Sequence, residues 1–417
     1  MDAIFTFLWD FLREPNVVLI WSSLAKTIFF LVVLLFMVSY GVYAERKICA
    51  AVQDRIGPNR TGIPLTLLGF KKDIPLWGLF QPIADPIKVI LKEYFMPKGV
   101  NKFYYWIAPQ LVLIPAVLVL AVLPFGSTLF GQQMVIANLN VGVLFVFAVS
   151  SLSVYGIVLA GWASNSKYPF LGGIRSSAQM ISYELALGLS VVPVFLVTST
   201  LNLQEIVHWQ ADKGWMVLPI FWKGIDFSLL MKGDWAAWQP LLLNLTLWFV
   251  MIVSFVTFLI AMFAETNRAP FDLPEAEQEL VGGYHTEYSG MGFAMFQLAE
   301  YSALLAGSGV IVTLFLGGWS LPFGWGGTGD ATAFLGLEWT PAWLEWLPNG
   351  LPGLLWGLVN IATFFVKMGL VLCFFIWVRW TVPRFRYDQL MKLGWYVFFE
   401  LALLNIFIAA FALAFLR

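Results

Sequence analysis

The stretch 241–280, LLLNLTLWFVMIVSFVTFLIAMFAETNRAPFDLPEAEQEL, decides the fold. Its first 24 residues carry no charge, enough to cross roughly 30 Å of hydrocarbon as a helix rising about 1.5 Å per residue. Glu265, Arg268, Asp272, Glu275, Glu277 and Glu279 then crowd into the next 15. An apolar run that ends so abruptly in carboxylates reads as a membrane-spanning helix meeting water.

Seven similar runs lie outward from it, at 26–44, 103–125, 141–162, 178–198, 293–316, 355–378 and 391–415. The chain of 417 residues is 60% hydrophobic and 12% charged, whereas soluble domains carry about 25% charge. These features predict an all-α polytopic membrane protein of eight transmembrane helices, forming one membrane domain over 1–417. No nucleic-acid partner is expected. The start has neither a basic region nor a small-residue cleavage site, so no removable signal peptide is expected.

Basic residues orient the spans. Arg46, Lys47, Arg55, Arg60, Lys71, Lys72, Lys88, Lys92, Lys98 and Lys102 separate the first two, and Lys167, Arg175, Arg268, Arg379, Arg384, Arg386 and Lys392 fall on the same side. The other side has only Arg13, Lys26, Lys213, Lys223, Lys232 and Arg417. The positive-inside rule places the loop 45–102 and the acidic loop 265–292 in the cytoplasm, with both termini outside. Loops 201–240 and 317–354 then face outward. Their tryptophans, among them Trp209, Trp215, Trp222, Trp235, Trp238, Trp319, Trp325, Trp339, Trp343 and Trp346, are expected to rest in the headgroup layer without chemistry.

Within the first cytoplasmic loop, Ile83, Ile87, Ile90, Leu91 and Tyr94 follow helical spacing, with Asp85, Lys88, Lys92 and Glu93 on the other face. The pattern predicts an amphipathic helix lying in the cytoplasmic interface, with Pro82 and Pro86 in its first turn.

Several charges stand where lipid would penalise them. Glu184 and Glu300 sit about two turns inside spans four and six, and Glu45 and Glu265 close spans one and five. Snorkelling accounts for Glu45 or Glu265 taken alone, but a glutamate two turns down is too short to reach water. Together the four mark one layer in the cytoplasmic half. Asp272 and Glu275 have capping-box spacing ahead of a short helix stopped by Gly282-Gly283. Capping leaves Glu277 and Glu279 unexplained. Glu275 and Glu279 repel at i, i+4, and coupled carboxylates near lipid suit proton handling, although a solvated acidic turn would look similar. Lys367 in span seven and Glu400 in span eight have heights that allow a buried structural pair.

Cys49 and Cys373 are too few for an iron–sulfur cluster, which usually takes four thiolates, and His208 and His285 are the only histidines. Electron chemistry would need cofactors on other chains, and no metal site is expected on this one.

The motifs Ala44-Glu45-Arg46-Lys47, Asp54-Arg55-Ile56-Gly57-Pro58-Asn59-Arg60, Gln81-Pro82-Ile83-Ala84-Asp85-Pro86-Ile87-Lys88, Ile174-Arg175 through Ser182-Tyr183-Glu184, the run from Glu265 to Glu287 and Pro383-Arg384-Phe385-Arg386-Tyr387-Asp388-Gln389-Leu390-Met391 carry a family resemblance. The chain resembles the H subunit of proton-pumping NADH:quinone oxidoreductase, respiratory complex I, the counterpart of mitochondrial subunit 1. That resemblance implies a helical protein at the heel of the membrane arm, beside hydrophilic-arm and small membrane subunits. It would form much of the quinone chamber and hold no redox cofactor of its own. It implies chamber roles for Glu45, Arg46, Asp54, Arg55, Asp85, Lys88 and Arg268. It also implies an acidic funnel of Glu184, Glu265, Asp272, Glu275, Glu277, Glu279 and Glu287, serving as a proton relay. The wording looks bacterial, so a bacterial inner membrane is expected. Pro86 and Glu400 depart from the family pattern, as does the length of the Trp-rich loops. A heel subunit of a related energy-converting hydrogenase, or a stand-alone ion transporter, is the alternative.

Overall fold

The structure, a computed structural model, describes residues 15–63, 74–75, 77–129, 132–218, 235–272, 282–322 and 350–415. Eight helical segments in it are long and apolar enough to cross a membrane, in agreement with the sequence. Helix α1 runs Pro15–Val52 and α2 Gln81–Leu91, followed by α3 (Lys102–Val119). Span three is two helices, α4 (Gly142–Ser151) and α5 (Ser153–Ala163), interrupted at Leu152. Next come α6 (Lys167–Thr198), the short helix α7 (Leu203–Lys213), α8 (Trp235–Glu265), α9 (Gly290–Phe315) and α10 (Gly350–Thr381). Span eight joins α11 (Tyr387–Lys392) to α12 (Phe399–Phe415) through a π-helical segment, Leu393–Phe398. Two antiparallel hairpins of two-residue strands, β1 (Gly62–Ile63) with β2 (Ile74–Pro75) and β3 (Thr128–Leu129) with β4 (Gln132–Gln133), complete the described structure.

Helices α6 and α9 form the centre. The apolar window of α9 is 83% buried against 22% for α1, which stands at the edge with most of its surface turned outward. Small residues set the spacing. A Cβ on Gly156 would come 2.9 Å from the Val112 backbone nitrogen, so α5 can approach α3 only with glycine there. Interhelical amides fasten the bundle: Asn405 Nδ2 donates to Val250 O and Ser254 Oγ, both at 2.9 Å, tying α12 to α8.

Several elements differ from the sequence reading. Helix α1 overruns its apolar stretch at the C-terminal end and α6 at the N-terminal end, because backbone hydrogen bonding continues after hydropathy falls. Glu45 therefore lies inside α1, about two turns before its end at Val52, and is buried. In α2, Pro82 occupies the first turn as expected, but Pro86 sits in the helix interior. The apolar residues Ile83, Ile87, Ile90 and Leu91 of α2 are all exposed.

The expected Lys367–Glu400 pair does not form. Glu400 is exposed, and α12 packs on α6 and α8. The Lys367 ammonium instead donates to Leu316 O at 2.7 Å, Gly318 O at 2.9 Å and Ser320 O at 2.5 Å. These carbonyls cap the C-terminal end of α9, where the helix dipole favours a cation. Its fourth neighbour is the face of Trp215, 3.9 Å away. Trp215 Nε1 also donates to Ser320 Oγ at 3.1 Å, and Trp319 is only 1% exposed, so both pack against the rest of the bundle. The side chains of Trp222, Trp235, Trp238, Trp325, Trp339, Trp343 and Trp346 lie outside the described residues.

Candidate functional site

At the C-terminal ends of α1 and α10 and the N-terminal end of α9, capped by α2, lies a cavity of about 1140 Å³. Its apolar wall comes from Leu35, Val38, Val42, Val89, Ile90, Met291, Phe293 and Leu298, and its polar wall from Glu45, Arg46, Arg55, Gln81, Asp85, His285, Tyr301 and Arg379. The volume lies just above the usual range of about 300–1,000 Å³ for small-molecule sites, and the mixed lining suits an amphipathic ligand. Arg46 Nη1 pairs with Asp85 Oδ2 at 2.7 Å, while Gln81 Nε2 donates to Asp85 Oδ1 at 2.7 Å. This pair fastens α2 to α1 at the cavity wall. Arg46 is about half exposed, so the pair organises the wall more than it stabilises the fold.

Beneath the cavity the charges become buried. Glu45 accepts hydrogen bonds from Tyr301 Oη and Arg379 Nη1. Arg268 Nη1 lies 3.5 Å from Glu45 Oε2, and its Nη2 lies 3.6 Å from Glu300 Oε2. The guanidinium covers the Tyr301 ring at 4.3 Å. Burial would pull the Arg268 pKa down, but Tyr301, Glu300 and Glu45 outweigh it and hold the group well above its ordinary value. Arg268 is therefore a permanent cation between two carboxylates. Ion pairs on both sides and the Tyr301 ring beneath hold the guanidinium in place.

The turn after α8 aims this arginine inward. Asn267 adopts φ 49°, a left-handed conformation that asparagine tolerates, and reverses the chain. Gln179 Nε2 on α6 pins the turn by donating to Ala264 O at 3.0 Å and Phe271 O at 2.9 Å, and Asn267 Nδ2 donates to Ser176 Oγ at 2.8 Å. Farther on, Phe385 N donates to Pro270 O at 3.1 Å and Arg384 Nη2 pairs with Asp272 Oδ2 at 3.0 Å. The loop before α11 thus clamps the start of the acidic segment.

A second cavity of about 80 Å³ lies deeper, lined by Glu184, Glu265 and Glu300 with Thr266, Asn267 and Tyr284. Apolar Val112, Phe258 and Met262 close the rest of it. Glu265 Oε2 is buried there without a hydrogen-bond partner among the described residues. Consecutive residues divide the two spaces. Tyr284 faces the small cavity and His285 the large one, and likewise Glu300 faces the small one and Tyr301 the large one.

Of the residues singled out in the sequence, Glu45, Arg46, Arg55 and Asp85 share the large cavity, and Arg268 lies behind its wall. Asp54 and Lys88 are exposed and do not line it. Glu184 and Glu265 meet at the small cavity, Asp272 pairs with Arg384, and Glu287 lines neither cavity, its carbonyl accepting from Tyr105 Oη at 2.7 Å. Glu275, Glu277 and Glu279, with the short helix expected around them, lie outside the described residues. Sequence reasoning marked Glu300 as a buried acid without assigning it to the site, and read Arg379 only as topological charge. Tyr301 and His285 carried no signal beyond their position beside Glu300 and Glu287.

The NADH dehydrogenase family model matches residues 25–410. The chain is 41% identical over 402 residues to the NADH-quinone oxidoreductase H subunit of Rhodospirillum rubrum, covering 96% of both chains. It is 42% identical over 398 residues to NADH-quinone oxidoreductase subunit 8 of Rhodothermus marinus, covering 95% of this chain and 98% of that one. The corresponding H subunit of Rickettsia bellii is 42% identical over 378 residues, 91% of this chain and 89% of the relative.

Proposed function

This chain belongs to the NADH dehydrogenase family, as a membrane subunit of the multi-subunit NADH-quinone oxidoreductase, and we propose that it forms part of the quinone chamber and couples quinone reduction to proton translocation. The observation that carries the reading is Arg268, held between Glu45 on the large cavity and Glu300 on the small one. A change of charge on a ligand in the large cavity acts on Glu45 at close range. Through the shared cation it alters how strongly Glu300 is held, and so the proton affinity of the carboxylates around the small cavity.

In this reading Glu45, Arg46, Arg55, Asp85 and Arg268 serve the chamber, with Asp54 and Lys88 outside its lining, and Glu184, Glu265, Asp272, Glu275, Glu277, Glu279 and, away from both cavities, Glu287 serve as the proton relay. Quinone is the substrate. It enters from the bilayer beside α1 and α2, a route supported by the exposed apolar face of α2 next to the cavity. Electrons arrive from an iron–sulfur cluster on a neighbouring hydrophilic-arm subunit, and small membrane subunits continue the path toward the antiporter-like subunits. The chain lies in a bacterial inner membrane with both termini on the outer side, in keeping with its basic cytoplasmic loops.

Glu265→Gln tests the coupling, because it keeps the shape and removes the titratable group. Proton-pumping NADH:quinone activity should fall at least tenfold while the complex assembles and NADH oxidation by an artificial acceptor is unchanged. Full quinone-linked pumping in that variant would refute the relay.

A further inference from the structure

We infer that the face of α12 turned away from α6 and α8, centred on Glu400, docks against a membrane-spanning helix of another subunit, which brings a hydrogen-bond donor to the depth of that carboxyl. The inference rests on this chain being one subunit of a multi-subunit enzyme, and it is independent of the chamber and the relay.

Between Lys392 and Arg417 the only charged residue is Glu400. The uninterrupted apolar stretch on either side of it, 393–415, has about the length that hydrocarbon of roughly 30 Å takes up. Glu400 stands about two turns inside that stretch, about 12 Å along the helix from Lys392 and about 22 Å from Phe415. A glutamate is too short to reach water from there.

This chain offers the carboxyl no partner. Glu400 is exposed and has no hydrogen bond or ion pair among the described residues. A helix N-terminus does not account for it either. Helix α12 continues from the π-helical segment, and the Phe399 N–H that leads into it is bonded to Gly394 O.

Helix α12 has two unlike faces. Ala402, Asn405, Ala409 and Ala412 are buried where the helix packs on α6 and α8. The opposite face, at the i, i+4, i+7, i+11 spacing of one helical stripe, holds Glu400, Leu404, Phe407 and Phe411, the last two 66% and 62% exposed. Apolar residues alone would suit lipid, and α1 provides the contrast. Spans one and eight are the least buried of the eight, at 22% and 28%, yet the exposed Ile28, Val32, Leu35 and Phe36 of α1 form an uncharged surface. Lipid satisfies that surface and not the one holding Glu400, because a carboxyl in hydrocarbon without a partner is heavily penalised. In either protonation state a carboxyl keeps an acceptor oxygen, so what the face needs is a donor. An N–H or O–H side chain on a neighbouring helix supplies one, with Leu404, Phe407 and Phe411 packing around the contact.

The test uses the intact complex in native membranes, with the photoreactive p-benzoylphenylalanine in place of Phe407. The probe should cross-link to a membrane-spanning segment of another subunit that has an N–H or O–H side chain within about two turns of the attachment point, the height separating Phe407 from Glu400. Attachment to lipid alone, to a second copy of this chain or to a segment without such a donor, or no attachment, overturns the inference. The cross-link reads neither quinone binding nor proton movement, so its failure leaves the chamber reading standing. Two variants test the donor separately, since glutamine keeps an acceptor oxygen and leucine has none. Glu400→Leu should raise the fraction of this chain released from the detergent-solubilised complex about tenfold, while Glu400→Gln stays within about twofold of wild type. An unchanged fraction in Glu400→Leu, or equal release in both variants, overturns the hydrogen bond.

Discussion

Lys367→Met isolates one buried charge whose partners are all visible. The substitution retains the apolar stem and removes the three N–H donors that hold Leu316, Gly318 and Ser320 carbonyls. Taking about 1.5 kcal/mol for each hydrogen bond to a charged group, the lower end of the usual range, the loss is about 4.5 kcal/mol. The damage should concentrate at the C-terminal end of α9, since the three carbonyls belong to its cap. The assay is irreversible thermal inactivation of the purified complex, together with its yield on native gels. The inactivation temperature should fall on the order of 5 °C. Glu400→Gln, at an exposed position, should leave both measurements unchanged. If Glu400→Gln destabilised as much as Lys367→Met, a Lys367–Glu400 pair would be restored and the carbonyl cage refuted.

Gly172→Ala should separate α6 from the turn at Gly283 because a Cβ has only 2.9 Å of room against backbone. Overpacking of that kind costs about 1–3 kcal/mol, so quinone reductase activity of the assembled enzyme should drop more than that of Gly369→Ala, where a Cβ meets nothing within 4 Å. His208 in α7 has its pKa lowered by burial, against an upward pull from Asp212 and Glu205. Its unfolded form therefore binds protons more readily, so its contribution is complete above the unfolded value of about 6.5 and fades as pH falls below it. His208→Gln should flatten the pH dependence of inactivation temperature in that window, and an unaltered slope would count against the assignment.

How much could be read from the chain alone divides along physical lines. Hydropathy and charge bias located eight spans, the amphipathic α2 and the acids at depth, because the cost of placing each residue in lipid is a sum taken along one dimension. The same sum marked Glu45, Glu184, Glu265 and Glu300 as one layer. It could not say that Arg268 would stand between two of them and that the other two would face a different cavity from Glu45. That depends on how each helix is rotated about its axis and on a turn whose reversal at Asn267 is held by Gln179 from another helix. Lys367 is the clearest case. Its sequence neighbourhood offered a carboxylate at the right height, whereas the fold supplied three backbone carbonyls, and every residue has a carbonyl, so no pattern of side chains could announce them. The sequence by itself determined what must lie in the membrane and which charges needed partners. The tertiary structure alone decided the partners, since a buried charge is satisfied by whichever polar group the packing brings within about 3 Å.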